Sequence, residues 1–138
     1  MVKMKITYQG EKHCELTHGP SQSKIETDAP KDNMGKGERF SPTDLMGAAL
    51  GSCILTTMAI IAERDKMEIN LENATAEVEK VMANTPRRIE SLIVKISLPK
   101  SLTSEQRTKL EEIARTCPVH RSLHPEMKIP VSFEYVSA

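Results

Sequence analysis

Hydrophobic and polar positions alternate with a period of two in several short segments, and this alternation predicts β-strands. Near the N-terminus the pattern covers residues 2–8, 12–17 and 23–28, with a turn at residues 18–21. A Pro- and Gly-rich loop follows at residues 29–39. The same alternation returns in residues 71–82, 88–98 and 128–136, with a turn at Asn84-Thr85-Pro86-Arg87 between the first two of these segments. The sequence therefore predicts three short strands, then a hairpin, then one final strand.

A different pattern occupies residues 45–62, which contain no charge, no aromatic residue and no proline. Ser41 is a suitable helix N-cap, Pro42 fits the first helical position, and the carboxylate of Asp44 favours the positive end of the helix dipole. A helix that is apolar all round has to be buried on every side. Its length reaches the lower limit for crossing a bilayer, about 17 residues. Its hydroxyl-bearing residues and the absence of a flanking aromatic belt favour instead a buried helix in a soluble protein.

A second helix is predicted to begin at the capping box Thr103-Ser-Glu-Gln106 and to end before Pro118. Residues 118–123 fit one further helical turn. The order of strands, helix, hairpin, helix and strand predicts an α+β fold with antiparallel sheets, a long buried central helix and a second helix, in a single domain spanning residues 1–138.

A monomer of this size cannot easily cover an all-apolar helix. Two such helices packed together would cover each other, and Gly47 and Gly51 would allow their close approach. We therefore predict an obligate homodimer.

Composition narrows the function. The chain of 138 residues has 19 basic and 19 acidic residues, so its net charge gives no reason to expect nucleic acid or a membrane surface as a partner. Aromatic residues make up only 3%, which disfavours base stacking. The first ten residues alternate and carry charge, unlike a signal peptide. The three cysteines are widely spaced, which is atypical of a disulfide framework and favours a cytoplasmic enzyme or binding protein.

Two of these cysteines are candidates for chemistry. Cys53 lies in the middle of the apolar helix, where a thiol is either a small buried hydrophobe or the centre of a shielded reactive site. Cys117 directly precedes Pro118 at the start of a short helix, a position that lowers the pKa of a thiol. In a reducing compartment two such thiols favour a redox pair over a structural bridge. Cys14, on a predicted short strand, is expected to be a bystander.

The segments SPTDLMGAALGSC and CPVHRSL resemble the two signature cysteine motifs of the OsmC/Ohr family, and the predicted order of elements is similar over nearly the whole chain. The resemblance implies an intertwined homodimer with active sites at the interface. It also implies a cysteine-based peroxidase that reduces organic hydroperoxides in oxidative stress defence, with an external dithiol as reductant and no cofactor. In that pattern Cys53 attacks the peroxide and Cys117 resolves it. We expect Ile54, Leu55 and Met58, with the same residues of the second copy, to form an apolar wall that favours organic over inorganic peroxides.

The chain departs from the best-understood branch of that family at two places. Thr43 stands where that branch has a glutamate directly after the proline, with Asp44 one step further, and no arginine precedes Arg39. The chain therefore resembles the more divergent OsmC-like, YhfA-like branch. Arg39 is the candidate cation and Asp44 the candidate acid of the site. Asp44 precedes Cys53 by nine residues, about 13 Å along a helix, so it cannot touch the Cys53 of its own chain.

Two other functions remain open. Cys53, Cys117, His120 and His124 provide four ligands that loosely fit a zinc site. Alternatively, the chain is a non-catalytic dimeric module whose apolar interface binds a small hydrophobic ligand, with both cysteines inert.

Overall fold

The computed structural model describes residues 1–137. They form two compact units, Met1–Met46 and a second that begins at Gly47. The prediction of a single domain over the whole chain stays a prediction.

The first unit contains an antiparallel three-stranded sheet. Its strands are β1 (Met4–Tyr8), β2 (His13–His18) and β3 (Lys24–Asp28), in the order β1-β2-β3. The three strands predicted from alternation are confirmed, with ends that shift by one or two residues. Strands β2 and β3 pair His13 with Asp28 and Glu15 with Glu26, which brings titratable side chains of both strands together.

The long helix α1 runs from Pro42 to Arg64, a length of 23 residues. The prediction that it is buried on all sides is wrong for the single chain. One stripe is buried, formed by Gly47, Leu50, Gly51, Ile54, Met58 and Ala62. The opposite face remains uncovered, and Ile60 on it is 57% exposed. The helix is long and apolar enough to cross a membrane, with a mean hydropathy of 2.0, but core helices of soluble proteins share this property, so it is weak evidence for a membrane.

The second unit has a three-stranded sheet of order β4-β5-β6, built from β4 (Thr75–Asn84), β5 (Arg87–Pro99) and β6 (Val131–Val136). Strands β4 and β5 form the predicted antiparallel hairpin. Strand β6 lies parallel to β5, which the antiparallel prediction missed. The helices α2 (Ser104–Ile113) and α3 (Pro118–Ser122) lie in the connection between β5 and β6, and such a crossover is what a parallel pair requires. The α+β class and its two main helices are confirmed.

The core of the second unit explains why α1 carries glycines. A Cβ atom on Gly47 would lie 3.3 Å from Val78 Cγ1, and one on Gly51 would lie 3.2 Å from Val78 Cγ2 and 3.3 Å from Ala76 Cβ. The two glycines therefore let α1 approach β4 of its own chain. Their predicted use as the contact between two copies of the helix is wrong.

Alternate residues of β5 complete this core. Leu92, Val94, Ile96 and Leu98 are fully buried, and they belong to one hydrophobic cluster with Leu50, Ile54 and Met58 of α1 and with Leu110 of α2. The capping box predicted for α2 is confirmed. The backbone N–H of Gln106 donates to Thr103 Oγ1 at 3.2 Å, and the N–H of Thr103 donates to Gln106 Oε1 at 2.9 Å.

Candidate active site

Cys53 lies near the middle of α1, beside the buried stripe, and its side chain is half-buried. One helical turn later, the hydroxyl oxygen of Thr57 lies 3.8 Å from Cys53 Sγ. This contact follows from the helix itself, since residues four apart share a face. The helix therefore provides the thiol and one hydroxyl neighbour for it.

Cys117 is the N-cap of α3, and its side chain is fully buried. Its Sγ accepts a hydrogen bond from the backbone N–H of His120 at 3.4 Å. Pro118 occupies the first position of the helix, where its missing N–H costs nothing. The short helix predicted after Cys117-Pro118 is thus present, with the cysteine sulfur in the place of a capping oxygen.

The fold brings these two cysteines into one site. The backbone N–H of Val119, two residues after Cys117, donates to Cys53 Sγ at 3.5 Å. The thiol of Cys117, as a hydrogen-bond donor to Cys53, also contributes to the lowered pKa of Cys53. Both cysteines are free thiols in this structure. Two N–H groups at the start of α3 thus reach the sulfurs: that of Val119 donates to Cys53 Sγ and that of His120 donates to Cys117 Sγ.

Burial and hydrogen bonding set the two thiols apart. Burial alone would raise the pKa of Cys53, but the hydrogen bonds from the Val119 N–H, the Cys117 thiol and the Thr57 hydroxyl outweigh it, and the pKa is lowered. All three donors are uncharged groups. Burial raises the pKa of Cys117, and its interaction with Cys53 adds to that rise, although the N–H of His120 opposes it. Cys53 is thus the first of the pair to ionise.

The prediction of a lowered pKa for Cys117 is wrong. The helix N-terminus is present, but a five-residue helix provides little dipole, and complete burial disfavours the thiolate more strongly.

Asp44 contributes to the start of α1. Its Oδ2 accepts a hydrogen bond from the Ser41 N–H at 2.9 Å, and Ser41 Oγ accepts one from the Asp44 N–H at 3.0 Å. This is a reciprocal capping box with an aspartate in the place of the usual glutamate. The structure thus gives Asp44 a structural task, and its predicted place in catalysis stays a prediction.

Arg39 lies in the loop before α1 with its side chain 54% exposed. Its Nε donates to Glu26 Oε2 at 3.3 Å and one terminal nitrogen donates to the Glu38 carbonyl at 3.4 Å. The guanidinium is therefore already engaged by a carboxylate of β3. Its assignment as the cation of Cys53 stays a prediction.

A cluster of titratable groups in the first unit was not predicted. His13 Nδ1 lies 2.6 Å from Asp28 Oδ1, and His13 Nε2 lies 3.2 Å from Glu26 Oε1. Asp28 is only 4% exposed and also accepts the Glu38 N–H at 3.2 Å. Hydrogen bonds to Asp28 and Glu26 raise the pKa of His13, and the hydrogen bond to His13 lowers the pKa of Asp28. A signal was available in the sequence, since His13 and Asp28 lie on neighbouring predicted strands. It could be used only with the strand register, which pairs these two residues.

The other unpredicted contact is the Val119 N–H, which no side-chain motif could reveal. Its place as the second residue of a helix that begins at Pro118 implies a free N–H group, and that was the available signal. The zinc alternative gains no geometric support, since the described part of the chain contains no group of three or more His, Cys, Asp or Glu side chains arranged to hold a metal ion.

Comparison with known proteins places this geometry in context. The family model described as OsmC-like protein matches residues 35–132, a range that contains both cysteines of the site. A protein of Psychrobacter arcticus, named for osmotic stress induction and a detoxification response, is 42% identical, with 97% of this chain and 96% of that chain covered and a TM-score of 0.91. An organic hydroperoxide resistance protein of Legionella pneumophila is 18% identical with 99% and 97% coverage and a TM-score of 0.77, and therefore shows the fold alone. No curated protein matches the sequence.

Proposed function

Because this chain belongs to the OsmC-like protein family, we propose that it is a cysteine-based peroxidase that reduces organic hydroperoxides to alcohols. The observation that carries the proposal is the placement of Cys53 Sγ at 3.5 Å from the Val119 N–H, beside the thiol of Cys117. A nucleophilic thiol needs a stabilised thiolate, and a resolving thiol has to lie within reach of it. Proteins of the same fold named organic hydroperoxide resistance proteins support the substrate class.

The reaction begins with the thiolate of Cys53. Its sulfur attacks the outer oxygen of the hydroperoxide, so that an S–O bond forms and the O–O bond breaks. The alkoxide leaves and takes up a proton to become the alcohol, and Cys53 is left as a sulfenic acid. The hydrogen bonds from Val119 and Thr57 favour the thiolate that starts this step.

The second step consumes the other thiol. The sulfur of Cys117 displaces the hydroxyl of the sulfenic acid, a disulfide forms between Cys53 and Cys117, and the hydroxyl leaves as water with the proton of Cys117. The raised pKa of Cys117 keeps it protonated until this moment. An external dithiol then reduces the disulfide, and no cofactor enters the cycle.

The predicted apolar wall of Ile54, Leu55 and Met58 is wrong for two of its three residues. Ile54 and Met58 are completely buried in the core, so they cannot line an open site, while Leu55 is half-buried. The apolar surface available beside Cys53 is instead the uncovered face of α1, which carries Ala49 and Ile60. An organic peroxide would find its apolar partner on that face.

The same face supports the proposal of a homodimer. The uncovered face of α1 carries Ile60, which is 57% exposed, among the small residues Ala49, Ser52 and Thr56, with no charged residue between Ala49 and Ile60. A soluble protein often covers such a surface with a partner. A second copy of the chain would cover it and would also close the site over Cys53. We place this dimer in the cytoplasm, where free thiols are the rule.

Variants of the cysteines test the function. Wild type, Cys53→Ser, Cys117→Ser and, as the control, Cys14→Ser are compared for consumption of cumene hydroperoxide with a dithiol present. We expect Cys53→Ser to lose about a hundredfold or more of the rate, because the nucleophile is gone. Cys117→Ser should accumulate oxidised Cys53, and Cys14→Ser should match the wild type.

A wild-type rate no faster than that of the free dithiol alone would contradict the peroxidase proposal. That outcome would favour the non-catalytic binding module, whereas an unchanged rate in Cys53→Ser would show that Cys53 is not the nucleophile.

A further inference from the structure

The two sulfurs of the site differ in how they can be reached. Cys117 is 0% exposed, and residues of its own chain cover it, so association with a second copy can only bury it further. Cys53 retains exposed surface. In the proposed function the hydroperoxide has to reach Cys53 from solvent. No such approach exists for Cys117, because none of its surface is exposed.

Building on the proposed function, we propose that the regenerating dithiol attacks the Sγ atom of Cys53 and expels Cys117 as the leaving thiolate. Thiol–disulfide exchange depends on which sulfur can be approached, and the incoming sulfur needs the side opposite the S–S bond. Cys117 is 0% exposed and belongs to the hydrophobic core, so none of its sides is open to an incoming sulfur. The reductant therefore enters where the peroxide entered.

The pKa values of the two thiols alone would favour the reverse, attack on Cys117 with Cys53 as the leaving group. The effect of acidity on the rate therefore has to be compared with the effect of access. Cys53 is the more acidic thiol and would be the better leaving group. Exchange rates change with the pKa of the attacking thiol by a factor of only about three for each unit, and we take the dependence on the leaving thiol to be of similar order. A buried sulfur, in contrast, reacts only in the small fraction of molecules in which the local structure has opened. Access therefore decides the direction.

The structure also provides a group for the charge that develops on the leaving sulfur. The N–H of His120 already donates to Cys117 Sγ at 3.4 Å, as the cap of α3. A hydrogen-bond donor fixed in that position stabilises a departing thiolate without rearrangement.

The disulfide is reduced in two successive thiol–disulfide exchange reactions. The first thiolate of the dithiol forms a mixed disulfide with Cys53, the Cys53–Cys117 bond breaks, and the electron pair and then a proton go to Cys117. The second thiolate of the reductant attacks the reductant's own bound sulfur, which closes the reductant's disulfide and releases Cys53 as a thiolate. Two electrons pass from the dithiol to the protein.

A monothiol tests the direction, since it stops after the first step. The Cys14→Ser protein is oxidised with diamide, which requires no peroxidase activity, then exposed briefly to glutathione and quenched with acid and N-ethylmaleimide. Trypsin separates the two cysteines, because Cys53 lies in the peptide 40–64 and Cys117 in the peptide 116–121. Mass spectrometry then reports which peptide carries glutathione and which carries maleimide.

We expect glutathione on peptide 40–64 and maleimide on peptide 116–121, with the opposite labelling about tenfold rarer or less. Glutathione mainly on peptide 116–121, or no labelling of either peptide under native conditions, would overturn the proposal. Failure of diamide to link the two peptides would overturn it as well. A protein that shows the expected labelling but consumes no hydroperoxide would contradict the proposed function and leave this exchange intact.

A second measurement checks access directly in the reduced protein. Cys14→Ser/Cys117→Ser retains only Cys53, and the matched variant Cys14→Ser/Cys53→Ser retains only Cys117. Native reaction with a disulfide reagent such as dithionitrobenzoate should be about a hundredfold slower for Cys117, and the two rates should converge in denaturant. Equal native rates would contradict the assignment of Cys53 as the entry point.

Discussion

At the scale of single residues, packing sets the relative acidity of the two cysteines of the site, because burial raises the pKa of Cys117 while hydrogen bonds lower that of Cys53. Their motifs identified Cys53 and Cys117, and the fold brings both into one site. Their relative acidity was out of reach, because it depends on the burial of Cys117 and on the N–H of Val119, and neither is encoded in a motif. Motifs report which side chains are present, whereas pKa values depend on packing.

His13 provides a prediction of pH dependence. Its raised pKa means that its ion pairs with Asp28 and Glu26 stabilise the protein fully below the ordinary value of 6.5, and that this contribution is lost as pH rises through the folded-state pKa. The lowered pKa of Asp28 has the opposite pH dependence. The stability that its carboxylate contributes is present above the ordinary pKa of 3.8 and is lost as pH falls through the folded-state pKa.

We therefore expect the melting temperature of His13→Gln to lie furthest below that of the wild type at about pH 5 to 6, and the difference to shrink at alkaline pH. Thermal melts followed by circular dichroism across this range measure it. His18→Gln is the matched control, since the only side-chain hydrogen-bond partner of the His18 imidazole among the described residues is the Ser21 hydroxyl. A difference between His13→Gln and wild type that does not vary with pH would exclude an ionic role.

At the scale of elements, the beginnings of helices were predictable and the partners of their faces were not. Ser41 and Thr103 were recognised as caps because capping depends on a few adjacent residues. Gly47 and Gly51 pack against Val78, which lies on a strand far away in the sequence, so the sequence alone could not separate this packing from a contact between two chains. The parallel placement of β6 is non-local in the same way.

The cap of α1 leads to a stability prediction. Asp44→Ala removes the acceptor of the Ser41 N–H and the favourable charge at the helix start, and we expect it to lower the free energy of unfolding by about 1 kcal/mol. Asp44→Asn keeps an acceptor and should lose less. Urea unfolding of the three proteins, together with their peroxidase rates, provides the measurement.

These rates also separate capping from catalysis. If Asp44 acts only as a cap, both variants retain the wild-type rate at a temperature where they are folded. A rate that falls in Asp44→Asn while stability is retained would instead support the catalytic role predicted from the sequence.

At the scale of the whole molecule, the α+β class and the family were predictable because they depend on the order of elements and on two local motifs, and the family match over residues 35–132 confirms the resemblance. The YhfA-like branch stays a prediction. The number of copies that assemble is a property of surfaces. The homodimer stays a prediction, and the uncovered face of α1 is the surface on which it can be tested.

Ile60 tests that face, because it is 57% exposed and lies on the uncovered side of α1. An aspartate there would place an unpaired charge inside the proposed interface, and burying such a charge costs several kcal/mol, enough to dissociate a dimer at micromolar concentration. We expect wild type to sediment as a dimer and Ile60→Asp as a monomer. Ile93→Asp is the matched control, since Ile93 is 40% exposed but lies on β5, and this variant should remain dimeric.

The monomeric variant also tests how the substrate is selected. The contact between Cys53 and the N–H of Val119 lies within one chain, so this variant should keep a reactive Cys53 thiolate while losing its preference for organic over inorganic peroxide. A wild type that sediments as a monomer would contradict the dimer, and an unchanged preference in the monomeric variant would show that the apolar surface of a single chain is sufficient for substrate selection.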